Sequence, residues 1–193
     1  MVELCNKVHL DFGQKILKIP MELKKFSTTG QICVHLQLKE NGQLNLSQNK
    51  INKRFVYLIS PSKIRSKDFY TNLALILNSG KVNYFQLRLK KETNSKKLEI
   101  GKKIKEICKK YKVQFLINDD PLLAKKLNAD GCHLGQKDMN LIEARKILKN
   151  KIIGVTCHNS ISLAKVAIKA GADYLAFGAF YTSKTKIVKY KAS

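Results

Sequence analysis

No stretch of the chain approaches the roughly 18 consecutive apolar residues that would span a bilayer, and the opening MVELCNKVHLDFGQK lacks the continuous apolar segment of a secretory signal. A cytoplasmic protein is therefore expected, with no membrane partner. The five cysteines, Cys5, Cys33, Cys108, Cys132 and Cys157, are widely separated and form no C-x-x-C pair, which removes the usual zinc and redox motifs. They read as reduced thiols, with Cys132 and Cys157 as small apolar fillers beside segments that look functional. Carboxylates are scarce too: 14 Asp and Glu against 37 Lys and Arg give a formal charge of +23. Such an excess suggests a polyanion partner, but only Arg54, Arg65, Arg88 and Arg145 are arginines, and bidentate recognition of bases and phosphates favours Arg. The lysines instead fill positions between apolar ones, as in KKLEIGKKIKEICKKYK, the pattern of a solvated helix face.

At 193 residues the chain suffices for one main core and a small appendage. From Phe55 onward one unit recurs: a short apolar run, a turn, then a helical pattern. The runs are FVYLIS (55–60), VNYFQLRL (82–89), VQFLI (113–117), GCHL (131–134), IIGVT (152–156) and ADYLAFG (172–178). Most lack in-out alternation, which suits strands covered on both faces. Between them DFYTNLALILNSG places Phe69, Leu73, Ile76 and Leu77 on one face, and LEIGKKIKEICKKY does the same with Leu98, Ile104, Ile107, Cys108 and Tyr111. NLIEARKIL has Asn140 as cap with Glu143 at capping-box spacing, and SISLAKVAIKAG runs from a Ser160 cap to Gly171. Strand alternating with helix predicts parallel strands and right-handed crossovers. Six of them suit an open doubly wound sheet or most of a (β/α)8 barrel.

Residues 1–54 stand outside this rhythm. ICVHLQLKENGQLNL alternates cleanly and turns at Asn41-Gly42, which predicts a small β-hairpin extension before the 55–193 domain. His9 and His35 lack partners at metal-ligand spacing.

In a parallel α/β fold the C-terminal ends of strands line the site. Those ends carry Gln86, Arg88 and Lys90, then Asn118 and Asp119, then Gln136 and Asp138, then Thr156 with His158 beyond, and finally Ser183, Thr185 and Lys186. Cations, two carboxylates and a hydroxyl-rich loop therefore meet at one rim. Two carboxylates about 4 Å apart would repel by roughly 4 kcal/mol at an effective dielectric near 20, so a cation belongs between them. Mg2+ fits, because it keeps waters and bridges to phosphate oxygens. The competing reading makes these acids helix caps or solvent ion pairs.

From about Phe55 to Lys186 the chain resembles thiamine phosphate synthases. FQLRLK stands for Q-x-R-x-K, LINDD for I-I-N-D, ADGCHLGQKD for A-D-G-x-H-L-G-Q-x-D, IIGVTCHN for I-G-V-S-x-H-N, and GADYLAFGAFYTSKTK for G-A-D-Y-x-x-x-G-x-x-x-x-T-x-T-K. The resemblance implies a (β/α)8 TIM barrel that joins a pyrimidine diphosphate to a thiazole phosphate. It further implies that Gln86, Arg88, Lys90, Asn118, Thr156 and Lys186 contact the pyrimidine diphosphate, that Asp119 and Asp138 bind Mg2+, and that Ser183 and Thr185 hold the thiazole phosphate. Arg88, Lys90 and Lys186 would be the catalytic cations.

Leu89, Lys137 and Ser183 depart from the family's usual Glu, Glu and Thr. The larger departure is that only IVKYKAS follows Lys186, where the family continues through two more strands. An incomplete barrel of about six strand-helix units is expected, with the edges of its first and sixth strands bare unless a partner chain or oligomer closes the sheet; the 1–54 hairpin could cover one edge but has too few apolar residues to replace two strand-helix units. Two other functions compete: a thiazole tautomerase using His158 as proton shuttle, and a basic nucleic-acid-binding protein. Retention of both aspartates with Arg88 and Lys90 disfavours the first, since a lone phosphate needs less positive charge.

Overall fold

A computed structural model describes residues 7–11, 16–20, 32–35 and 56–178 of the chain. The chain packs as two compact units, residues 49–153 and residues 1–48 with 154–193.

In the 49–153 unit the predicted alternation is realised. The elements are β1 to β3 elsewhere and here β4 (Val56–Ile59), α1 (Asp68–Asn78), β5 (Val82–Leu87), α2 (Asn94–Lys110), β6 (Gln114–Asn118), α3 (Pro121–Lys126), β7 (Gly131–Leu134) and α4 (Leu141–Leu148). The strands β4, β5, β6 and β7 pair side by side and parallel. Their β-branched and aromatic residues pack under amphipathic helices, with Leu77, Ile104, Phe115 and Ile117 at the centre of the core. Caps set the helix starts. The Thr93 hydroxyl accepts from the Lys96 N–H, so α2 begins at Asn94 rather than at Leu98, where the apolar pattern starts. Asn140 caps α4 by accepting from Ile142 N–H, and at the other end the Arg145 guanidinium donates to the carbonyls of Lys149 and Lys151.

Helix α3 was not foreseen. Six residues are too few for a periodic stripe, and its signal is local: the Asp120 carboxylate accepts from Leu123 N–H, and Pro121 occupies the first turn. The expected face of α1 also needs correction. Leu73 and Leu77 are buried and Phe69 half-buried, but Ile76 is 47% exposed, because one residue of helix turns it about 100° from Leu77.

The other unit contains β1 (Lys7–Asp11) antiparallel to β2 (Ile16–Pro20), and β3 (Ile32–His35), β8 (Ile152–His158), α5 (Ile161–Lys169) and β9 (Tyr174–Phe177). The first two residues of β8 belong to the 49–153 unit. Strands β8 and β9 are parallel, and α5 starts where Ser160 accepts from Leu163 N–H. Of the two strand edges expected to need cover, the N-terminal extension covers one. Strand β3 lies antiparallel along β9, from Ile32 opposite Phe177 to His35 opposite Tyr174. The alternating Ile32 and Val34 segment thus supplies a strand to an edge that would otherwise offer unpaired backbone groups. The turn at Asn41-Gly42 lies outside the described residues. Among those described, no helix is long and apolar enough to cross a membrane.

Gly154 faces Tyr174 across the β8–β9 pair, and a Cβ there would sit 1.9 Å from the tyrosine ring, which is fully buried. Gly154→Ala is expected to destabilise the protein by about 3 kcal/mol and Tyr174→Ala by about 3–5 kcal/mol. In urea titrations the double variant should lose clearly less than the sum, since removing the ring removes the clash.

Candidate functional site

Pleating sends successive strand residues to opposite faces. Phe85, Leu87, Ile117, Cys132 and Leu134 enter the helix-covered core, so the register places Gln86, Leu116, Asn118 and His133 on the other face. That face is polar although buried. Gln86, only 3% exposed, donates from Nε2 to Asn118 Oδ1 at 2.6 Å, and no buried side-chain nitrogen or oxygen among the described residues lacks a partner.

Just beyond the strand ends the charged groups collect. Strand β5 stops at Leu87, two residues earlier than its apolar run suggests, so Arg88 and Lys90 stand in the following loop. Lys90 Nζ is 3.2 Å from Asp119 Oδ2. Its half-exposed ammonium makes this pair worth no more than about 1 kcal/mol of stability, so its interest is positional. Lys90, Asn118 and Asp119 also line a small pocket with Asp120, Lys97, Leu89 and Leu123.

The backbone aims Asp119. Its N–H donates to His133 O at 2.8 Å, extending the β6–β7 ladder, and then its φ of 65° turns the chain sharply. Aspartate tolerates this left-handed region better than most residues, at a modest cost in strain. The turn separates two adjacent acids into different tasks: Asp120 caps α3, while Asp119 stays at the rim.

Asp138 arrives from a tight turn after β7. Its Oδ2 accepts from Gly135 N–H at 2.6 Å, and its own N–H donates to Gly135 O at 3.3 Å. A Cβ on Gly135 would lie 2.9 Å from that Oδ2, so glycine leaves the carboxylate its place. The Asp119 carboxyl lies near enough to Asp138 to act on its protonation. Burial, and next the Asp119 carboxyl, push Asp138 above the usual carboxylate range, while Gly135 N–H and Lys90 pull the other way.

Two converging carboxylates in a half-buried rim are the donor set of a hard divalent cation that keeps some of its water. Among the described residues no group of three or more His, Cys, Asp and Glu could hold a metal ion, so such a cation would rest on these two acids and on ligand oxygens.

Thr156 and His158 lie in the other unit. Thr156 is buried in β8 opposite Ala176, and a register shift follows it before His158, whose φ is 53° and whose carbonyl accepts from Gly178 N–H. Ser183, Thr185 and Lys186 lie outside the described residues. Gln136 is exposed beside the Asp138 turn.

Two residues at these strand ends were passed over by sequence reasoning. Ser60, 5% exposed, follows β4, and His133 shares the polar face with Asn118. The rule that strand ends line the site pointed to the last letter of FVYLIS, and alternation around Cys132 pointed to His133.

The cysteines behave as fillers. Cys108, Cys132 and Cys157 are free and buried, and burial pushes Cys108 and Cys157 up to about 12. Cys132 is driven higher still by burial and then by Asp119. A thiolate nucleophile at Cys132 is thereby disfavoured. The lysines cover the helices, and Lys105, Lys109, Lys112 and Lys151 border a second cleft at the N-terminal end of β6. Lys109 and Lys110 stand in the last turn of α2, where the helix dipole favours cations.

Residues 56–192 match the family described as thiamine monophosphate synthase. A thiamine-phosphate synthase of Pelagibacter ubique is 78% identical over 148 residues, covering 77% of this chain and 72% of that one. The thiamine-phosphate synthase of Marinobacter nauticus is 41% identical over 132 residues, covering 68% of this chain and 60% of its own length. A solved structure, thiamine phosphate pyrophosphorylase from Pyrococcus furiosus, is similar at a TM-score of 0.61 and 29% identity, covering 70% of this chain and 65% of that chain. The likeness bears out the expected α/β fold of an incomplete (β/α) barrel, with β4 to β7 parallel in one unit and β8 and β9 parallel in the other. The tautomerase and nucleic-acid alternatives gain no support from these likenesses.

The raised Asp138 value has a consequence for stability. The folded protein binds that proton more tightly than the unfolded chain, so stability falls as pH rises from the ordinary aspartate value through the raised one. Metal-free Asp138→Asn should therefore melt at a higher temperature than wild type at pH 7. The difference should vanish below about pH 4, where both forms are neutral. Thermal scans across pH check both points.

Proposed function

The chain belongs to the thiamine monophosphate synthase family, and on that premise we propose that it is a transferase that condenses 4-amino-2-methyl-5-hydroxymethylpyrimidine diphosphate with thiazole phosphate. The products are thiamine phosphate and inorganic diphosphate. The observation that carries this reading is the convergence of Asp119, Asp138 and Lys90 at one strand rim, beside the buried Gln86–Asn118 pair. A diphosphate is the ligand such a mixed array suits: carboxylates for a cation, and an ammonium and a guanidinium for the remaining oxygens.

Asp119 and Asp138 would hold Mg2+, which when bound neutralises diphosphate oxygens and improves the leaving group. The chain's own groups act around it. Arg88 and Lys90, with Lys186, bind the diphosphate and stabilise the negative charge that grows on it as the bond from the methylene carbon to oxygen breaks. The electron pair leaves with the diphosphate, and the pyrimidine-methyl cation is captured by the lone pair of the thiazole nitrogen, forming the carbon–nitrogen bond. No net proton transfer is required in this step. Gln86 and Asn118, fixed against each other by a hydrogen bond, would contact the pyrimidine diphosphate, a role also assigned to Thr156. Ser183 and Thr185 would anchor the thiazole phosphate.

The purified chain, supplied with both substrates and Mg2+, is expected to release thiamine phosphate. Asp119→Ala and Asp138→Ala should each lower kcat/KM by at least about 100-fold while leaving circular dichroism unchanged. Wild-type turnover in either variant would defeat the assignment of the two acids.

A further inference from the structure

We infer that Ser60 is a positioning residue, a side-chain clasp that fixes the backbone of Arg88 at the rim. The inference rests on the function proposed above for its effect on catalysis, but its geometry stands alone. In a parallel pair a residue donates its N–H to one partner carbonyl and accepts at its own carbonyl from the N–H two residues further along the partner. Ser60 makes the first of these bonds: its N–H donates to Gln86 O at 2.9 Å, one step past the last β4–β5 pair, Ile59 with Gln86. The second bond is altered. The Arg88 N–H donates to the Ser60 hydroxyl, not to the Ser60 carbonyl, at 2.8 Å.

The sequence explains the substitution. Pro61 follows, has no N–H to continue the ladder, and restricts the residue before it to extended conformations. The chain departs from the sheet here, and the Arg88 N–H would lose its acceptor close to a buried position. The Ser60 hydroxyl takes the carbonyl's place and donates onward to Pro61 O at 3.1 Å. Beyond this point the two segments are joined again by the Lys91 N–H donating to Ser62 O at 3.4 Å. Ser60 thus grips Gln86, in β5, through its backbone and Arg88, in the loop just after it, through its side chain, the two residues that flank Leu87. Its 5% exposure keeps water from replacing it.

A hydroxyl is the property required, so threonine should serve and alanine should not. The test uses the full chain and its Ser60→Ala and Ser60→Thr variants, with amide hydrogen exchange read at Arg88 and kcat/KM read for both substrates. Expected are fast exchange at Arg88 in Ser60→Ala, with kcat/KM down about 10-fold or more and most of the loss in kcat, and near wild-type values of both in Ser60→Thr. Unchanged exchange at Arg88 in Ser60→Ala overturns the clasp. Fast exchange with unchanged turnover overturns its role in the reaction. A wild-type chain that forms no product, while the exchange contrast between alanine and threonine persists, contradicts the transferase reading alone and leaves the clasp supported.

Discussion

The constraint on which the site depends is the approach of two carboxylates in a chain where acids are outnumbered by more than two to one. Asp119 and Asp138 come from separate loops, and each is held by backbone geometry that would be unnecessary for a solvated acid. One sits in a left-handed turn tied to β7; the other is folded back onto the Gly135 amide. Burial, and next the neighbouring Asp119 carboxyl, make the charged form of Asp138 work against the folded state. Lys90 sets a positive charge 3.2 Å from Asp119.

Around that pair the fold supplies preorganisation rather than reactivity. The sheet face opposite the helices is polar and satisfied, through Gln86 with Asn118 and Ser60 with Arg88. A reaction that proceeds by departure of a leaving group and capture of a cation asks for fixed charges and fixed hydrogen-bond donors. The buried Cys132 thiol beside the site, its pKa driven up by burial, serves packing.

Much of this was legible in the sequence. Runs such as VQFLI and helical stripes such as that of α2 gave the order of elements, because burial imposes periodicity. The Gln86, Arg88, Lys90 alternation and the NDD triplet marked the rim, because charges at strand ends need a purpose. Local chemistry was harder to read. Helix α3 is shorter than its own period, the first turn of α2 is polar, and both depend on one capping side chain. Ile76 looked buried because a hydrophobic residue one step off the stripe scores the same as one on it. Ser60 was hidden for a different reason: its role depends on Arg88, 28 positions away, and on Pro61 ending a ladder that only pairing reveals. That the N-terminal segment could cover an edge was legible, but its pairing with β9 in particular was not, since alternation announces a strand without naming its partner.

The most direct test of the shared-cation account is Mn2+ binding to the full chain, followed by electron paramagnetic resonance with inorganic diphosphate present. The account predicts one site per chain, lost when either Asp119 or Asp138 is changed to Asn. Binding that survives both substitutions, or that responds to only one of them, would contradict it.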